Sequence, residues 1–121
     1  MDISKAIAAM KEKPDFAQNV GMLLVHNGVV RAWSRQSRDQ VEYLEVSPNQ
    51  EKVEEIRQEF LQREGIFDIV IEAKEGRFLP GDDLLFMIVA GDIRENVKPA
   101  LADLLDRIKA EAISKKEIVT A

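Results

Sequence analysis

The chain of 121 residues has no cysteine and a single histidine, and those two shortages remove whole classes of chemistry. Without thiols there is no disulfide, no thiolate metal site and no persulfide carried on this chain. One imidazole, His26, cannot build a histidine-based zinc cluster. Any sulfur the protein handles must be brought by another molecule. Long apolar runs are missing too, and none approaches the roughly 20 residues needed to span a bilayer, so no membrane contact is expected. The opening MDISKAIAAMKEK has neither a hydrophobic signal core nor a small-residue cleavage site, which makes the cytoplasm the expected location. Excess positive charge is also lacking. A net charge of −5 and a pI near 5.0 argue against nucleic-acid binding, which needs a basic surface to displace counterions.

What remains has the composition of a globular protein, 45% hydrophobic and 32% charged, and the size of one domain over 1–121 with a real core. Ile3, Ile7 and Met10 recur at helical spacing, Asp2 is a candidate N-cap and Pro14 ends the helix. Residues 19–31 form an apolar run broken at Asn27-Gly28, which predicts a strand with a bulge at the glycine. The polar AWSRQSRDQ that follows reads as a mobile loop rich in arginine. VEYLEV at 41–46 alternates as a half-buried strand does. Ser47 as cap and Pro48 at the first helical position then predict a helix to about Glu64, with Val53, Ile56, Phe60 and Leu61 inward and Gly65 ending it. A strand at 66–73, a turn region through Gly76 and Pro80-Gly81, and the strongest strand at 83–90 complete the middle. The last helix is predicted to start at Asp92, with Glu95 completing a capping box and Val97, Leu101, Leu104, Leu105 and Ile108 as its apolar stripe. Pro99 predicts a kink or an offset first turn. The sum is an α+β fold: a largely antiparallel sheet packed with two main helices and a short N-terminal helix.

In this acidic chain three cations near the end stand out: Arg94, Lys109 and Lys116. Arg94 falls in the first turn of a helix, where the dipole mildly disfavours a cation unless an anion binds there. Solvated surface arginine is the simpler reading of that position. Lys109 and Lys116, in and after the last turn, complement the negative end of the helix with no ligand required. Arg94 and Lys109 are fifteen residues apart, so a rise of about 1.5 Å per residue separates their backbones by roughly 22 Å. One small ligand can meet both only if Arg94 comes from a second copy of the chain. Arg31, at the end of an apolar strand beside a loop, is a stronger ligand anchor. His26 reads most simply as a hydrogen-bonded strand histidine, Asp82-Asp83 as turn formers, and Trp33 either as a stacking platform or as a partner contact.

NGVVR at 27–31, LEVSP at 44–48, GRFLPGDDLLFMIVAGDIR at 76–94 and KAEAISKKE at 109–117 together resemble the large, catalytic subunit of molybdopterin synthase. The resemblance covers nearly all of the chain from about residue 19. It implies an α/β-hammerhead fold and a homodimer of large subunits. It also implies a heterotetramer, in which a small ubiquitin-like sulfur carrier docks at each end and inserts its C-terminal Gly-Gly thiocarboxylate. The implied reaction is two rounds of sulfur transfer to cyclic pyranopterin monophosphate, giving the dithiolene of molybdopterin, with no permanently bound cofactor. By motif, Lys109 and Lys116 carry over as catalytic residues. Arg31, Arg94, Val29, Val30, Ile93, Lys115 and Glu117 carry over as the substrate pocket. The residue types suit a phosphate-bearing pterin: arginines hold phosphate bidentately, and a lysine crowded by cations loses its proton more easily.

The chain departs from the family pattern twice. Ile93 stands where the family has histidine before the arginine, and four residues follow Glu117 where the family continues further. Two other classes stay open on the residues alone: a non-catalytic module that binds a ubiquitin-like partner or a pterin or phosphate ligand, and a small-anion sensor built on Arg94.

Overall fold

The structure, a computed structural model, describes residues 1–120. Its elements in chain order are α1 (Ile3–Lys11), α2 (Phe16–Asn19), β1 (Met22–Val29), β2 (Val41–Pro48), α3 (Gln50–Phe60), β3 (Ile66–Ala73), β4 (Gly76–Phe78), β5 (Asp83–Gly91), α4 (Arg94–Glu111) and β6 (Ile113–Val119). The strands form two three-stranded sheets, ordered β1-β5-β3 and β4-β2-β6, and every pairing is antiparallel. The mixed α+β architecture read from the sequence is the one observed, with four helices. Among the described residues no helix is long and apolar enough to cross a membrane.

The two apolar runs that dominate the sequence become the middle of the first sheet. β5 is flanked on both sides, and its residues Leu85 to Ala90 are all buried. Side chains alternate across a strand, so β5 serves two cores. Leu85, Met87 and Val89 meet Val53, Ile56 and Phe60 of α3 and Val97, Leu104 and Ile108 of α4. Phe86, Ile88 and Ala90 meet Met10 and the N-terminal helices. A third cluster, Val30, Val41, Leu44 and Val46, fills the second sheet and holds the two sheets together.

Several boundaries differ from those predicted, each for a local reason. Asn49, not Ser47, caps α3 by accepting from Lys52 N at 3.1 Å, and Ser47 and Pro48 stay in β2, paired with β6. Asp92 does not open α4. Its carboxylate turns back to Ile93 N and to Asn96 Nδ2, so Ile93 occupies the cap position with no side-chain bond. The helix runs unbroken through Pro99. The missing N–H there leaves unpaired only a carbonyl of the exposed first turn, which water reaches. Gly65 has φ of +78°, as a chain reversal after a helix requires, although the helix itself ends at Phe60.

The segment after Arg31 is tied rather than loose. Trp33 pairs with Gln40 across a bridge, Ser34 N donates to Asp39 O and Arg38 N to Ser34 O. The bulge predicted at Gly28 is present between Gly28 and Val29. β4 and β6 were not expected. Both are short or charged edge strands, and their charged residues conceal the alternation that marks a buried strand.

Candidate functional site

Three elements converge where the two sheets meet. The end of β1 and the residues after it bring Gly28, Val29, Val30 and Arg31. The second sheet brings Leu44 and Val46 from β2 with Lys115 and Glu117 from β6, and the last turn of α4 brings Lys109. Together they bound an open cleft. A second hollow, near Asp15, Gly65 and Asp92, carries carboxylates and no cation. The cationic cleft is the one with chemistry to offer an anionic ligand.

Backbone bonds fix its walls. Val30 N donates to Asp82 O, and Gly81 N donates to Val30 O, both at 2.9 Å. These bonds lock the strand end onto the Pro80-Gly81-Asp82 turn, where Asp82 also accepts from Leu79 N. Val30 is thereby buried while its neighbour Val29 stays exposed at the rim. At the far side Asn49 N donates to Ala112 O at 2.7 Å, which joins the end of α4 to the start of α3 and sets where β6 begins.

Register decides which cations face inward. In the β2–β6 ladder Lys115 lies opposite Val46 and Glu117 opposite Leu44, so both share the cleft face of those buried residues. Lys116 lies opposite Glu45, on the other face of the sheet, where Arg77 bonds Glu45 at 3.1 Å. Lys116, expected beside Lys109, therefore does not line this cleft of its own chain; the β6 lysine that does is Lys115. Arg94 and Ile93 also lie outside the cleft of their own chain. Arg94 is exposed and paired with Glu95 at 3.2 Å, and Ile93 is 53% exposed. The length of α4 required this separation.

The cleft's electrostatics are those of like charges held together. The Lys109 amine has its pKa lowered, first by burial and then by the cations of Lys115, Arg31 and Arg35, against the opposing pull of Asp106. Glu117, 3.8 Å from Arg31, is the one carboxylate among the lining residues. Arg31 also lies over the Trp33 ring at 5.1 Å, with Arg38 over the same ring at 4.5 Å. Arg35 belongs to an adjoining hollow that shares Arg31, Leu44, Lys115 and Glu117. In the sequence Arg35 stands with Arg31 and Arg38 as a loop cation and not as a pocket residue. Its signal was the density of arginines in AWSRQSRDQ. Among the described residues no group of three or more His, Asp or Glu side chains is placed to hold a metal ion.

No curated protein sequence matches the chain significantly. Solved structures match its fold over almost its whole length. Molybdopterin synthase from Staphylococcus aureus superposes with a TM-score of 0.79 at 22% identity, covering 99% of this chain and 86% of that one. The molybdopterin biosynthesis MoaE protein of Burkholderia ambifaria gives 0.76 at 21% identity, over 98% and 83%. A complex of subunits 1 and 2 of the molybdopterin-converting factor from Helicobacter pylori gives 0.70 at 18%, over 98% and 80%. Identities this low speak for the fold alone. The sequence itself matches the model of the MoaE protein family across residues 1–111, from the first residue to the end of α4. On that match the chain belongs to the MoaE family, the large subunits of molybdopterin synthase.

Proposed function

We propose that the cleft binds cyclic pyranopterin monophosphate and that Lys109 promotes transfer of sulfur to it from a thiocarboxylated carrier. Family membership supports a role in molybdenum cofactor biosynthesis. The observation that carries the finer reading is the meeting of Arg31, Lys109 and Lys115 around one cleft, with the Lys109 pKa lowered. Arg31 suits the phosphate, because a guanidinium can donate two parallel N–H bonds to it. A lysine relieved of its proton more readily than usual serves as base or nucleophile. Lys115 takes the second lysine role that the sequence gave to Lys116. Val29 and Val30 offer an apolar edge to the pterin, and Glu117 holds Arg31 in place until the phosphate arrives.

The sulfur is delivered on the C-terminal Gly-Gly thiocarboxylate of a small ubiquitin-like partner, a route that the absence of cysteine supports. Arg94, about 22 Å along the helix from Lys109, reaches the cleft from the second chain of a homodimer.

The test is incubation of the purified protein with thiocarboxylated carrier and cyclic pterin, assayed for dithiolene. Lys109→Ala and Lys115→Ala are expected to lose turnover by on the order of 10²-fold or more, while Lys116→Ala stays near wild type. Equal losses at 115 and 116 would remove the cleft from the account. Carrier binding with no pterin conversion by the unmodified protein would identify a non-catalytic module instead.

A further inference from the structure

Among the described residues one side-chain polar atom is both sealed from solvent and without a hydrogen-bond partner: Nε2 of His26. A buried polar group left unpaired is destabilising, so such an atom calls for a specific explanation. His26 lies on β1 opposite Met87, on the strand face that Met22 and Leu24 turn toward the α3–α4 core. Two residues on, Gly28 lines the cleft, and a Cβ built there would sit 3.2 Å from Nε2. The imidazole edge therefore lies directly behind the cleft wall at Gly28, where an added side chain would crowd it. Lys109 projects into that same cleft from α4.

We propose that His26 is a positioning residue for Lys109, its unpaired Nε2 accepting a hydrogen bond when the flexible Lys109 amine turns to it. This rests on the reading of Lys109 as the reacting amine. A neutral amine has two N–H donors and one lone pair. Spending one donor on His26 fixes the amine against the wall and leaves its lone pair directed into the cleft. The arrangement needs a neutral imidazole protonated at Nδ1. Burial first, and the Lys109 cation second, lower the His26 pKa below its ordinary 6.5, which keeps the ring neutral at pH 7. The charged groups around the pair are Asp106 on α4, Arg31 after β1, Arg35 in the 32–40 segment and Lys115 on β6. β5 presents only the uncharged Met87 opposite His26. Protonation of His26 would turn the acceptor into a donor and set a further positive charge beside Lys109.

Because the sequence holds one histidine, ¹⁵N NMR of imidazole reads His26 alone. The expected result is an Nδ1–H tautomer titrating below 6.5, with the titration moving upward in Lys109→Met. In the sulfur-transfer assay His26→Phe should lower kcat roughly tenfold with KM unchanged, the worth of one hydrogen bond. His26→Gln, whose amide oxygen can replace Nε2 as acceptor, should recover most of it. An Nε2–H tautomer, or a His26 titration indifferent to Lys109→Met, overturns the pairing. So does a His26→Phe protein that turns over at the wild-type rate. If the NMR coupling is present while no form of the protein transfers sulfur, the pair stands and the sulfur-transfer reading falls.

Discussion

Replacing Lys109 with methionine should make the protein more stable while removing its activity. Methionine keeps the apolar stem and deletes the charge. That charge is partly withdrawn from water beside Lys115, Arg31 and Arg35, with only Asp106 in opposition. Each such pair contributes a fraction of a kcal/mol when solvent reaches it, so the net gain, discounted for screening, is about 0.5 kcal/mol. For a chain of this size that raises Tm by about 2 °C. The opposing effect is the helix dipole, which favours a cation in the last turn of α4 by a similar amount. Here it is weakened, because the Ile108 carbonyl already accepts from Ala112 N and the Ala112 carbonyl from Asn49 N. The pH dependence supplies the sign. The folded-state pKa of Lys109 lies below its unfolded value of 10.5, so between the two the unfolded chain binds more protons and stability rises with pH. The advantage of methionine is full at pH 7 and vanishes above about 10.5, where the amine is neutral in both states. Thermal melts of both proteins at pH 7 and pH 11 measure it. In 1 M salt, where the Debye length is about 3 Å, the like-charge part should fade and the desolvation part persist. A Lys109→Met protein less stable than wild type at pH 7 would show that Lys109 is a stabilising helix-end cation and not one destabilised by its neighbours.

Two further outcomes are expected. Asp68 is buried and accepts from Lys13 Nζ at 2.5 Å, Arg57 at 3.3 Å and Ile69 N at 2.9 Å, joining the α1–α2 turn, α3 and β3. Asp68→Ala leaves Arg57 and the backbone N–H without that partner and should cost about 3 kcal/mol in chemical denaturation; a cost below about 1 kcal/mol would mean that water replaces the carboxylate. Mixing inactive Arg94→Ala and Lys109→Ala proteins under conditions of subunit exchange should restore about a quarter of wild-type turnover, because half of the dimers are mixed and each has one intact site. Exchange without recovery would show that Arg94 does not cross between chains.

Much of the fold was legible because burial writes itself into the sequence. The run from Leu84 to Ala90 could only be a strand buried on both faces, and it is the central strand of the first sheet. The inward residues of α3 and α4 follow the helical period and are the ones the core takes up. Capping was less legible. Ser47, Asn49 and Asp92 are all good caps by chemistry, and what chooses among them lies elsewhere in the chain. β6 holds Ser47 and Pro48 in the β2 ladder, and Asn96 captures the Asp92 carboxylate.

The site was legible as a set of residue types and illegible in one parity. Arg31, Lys109, Glu117 and the two valines line one cleft, because the ends of β1 and α4 are fixed by apolar patterns. Lys115 and Lys116 are adjacent and chemically identical, so composition and motif cannot rank them. Read as a helix tail, KAEAISKKE places Lys116 about two turns beyond Lys109 on the same side, seven residues on. Folded as a strand, the same residues alternate, and one step of register turns a side chain to the opposite face. The residue that sets the step is Ile113, which pairs with Pro48 at the sheet's edge and packs into the core cluster of the second sheet. With Ile113 facing in, Lys115 and Glu117 must face in and Lys116 must face out. An apolar contact two residues from Lys115 thus selects which lysine lines the cleft, and a one-residue insertion between Ile113 and Lys115 should exchange the two.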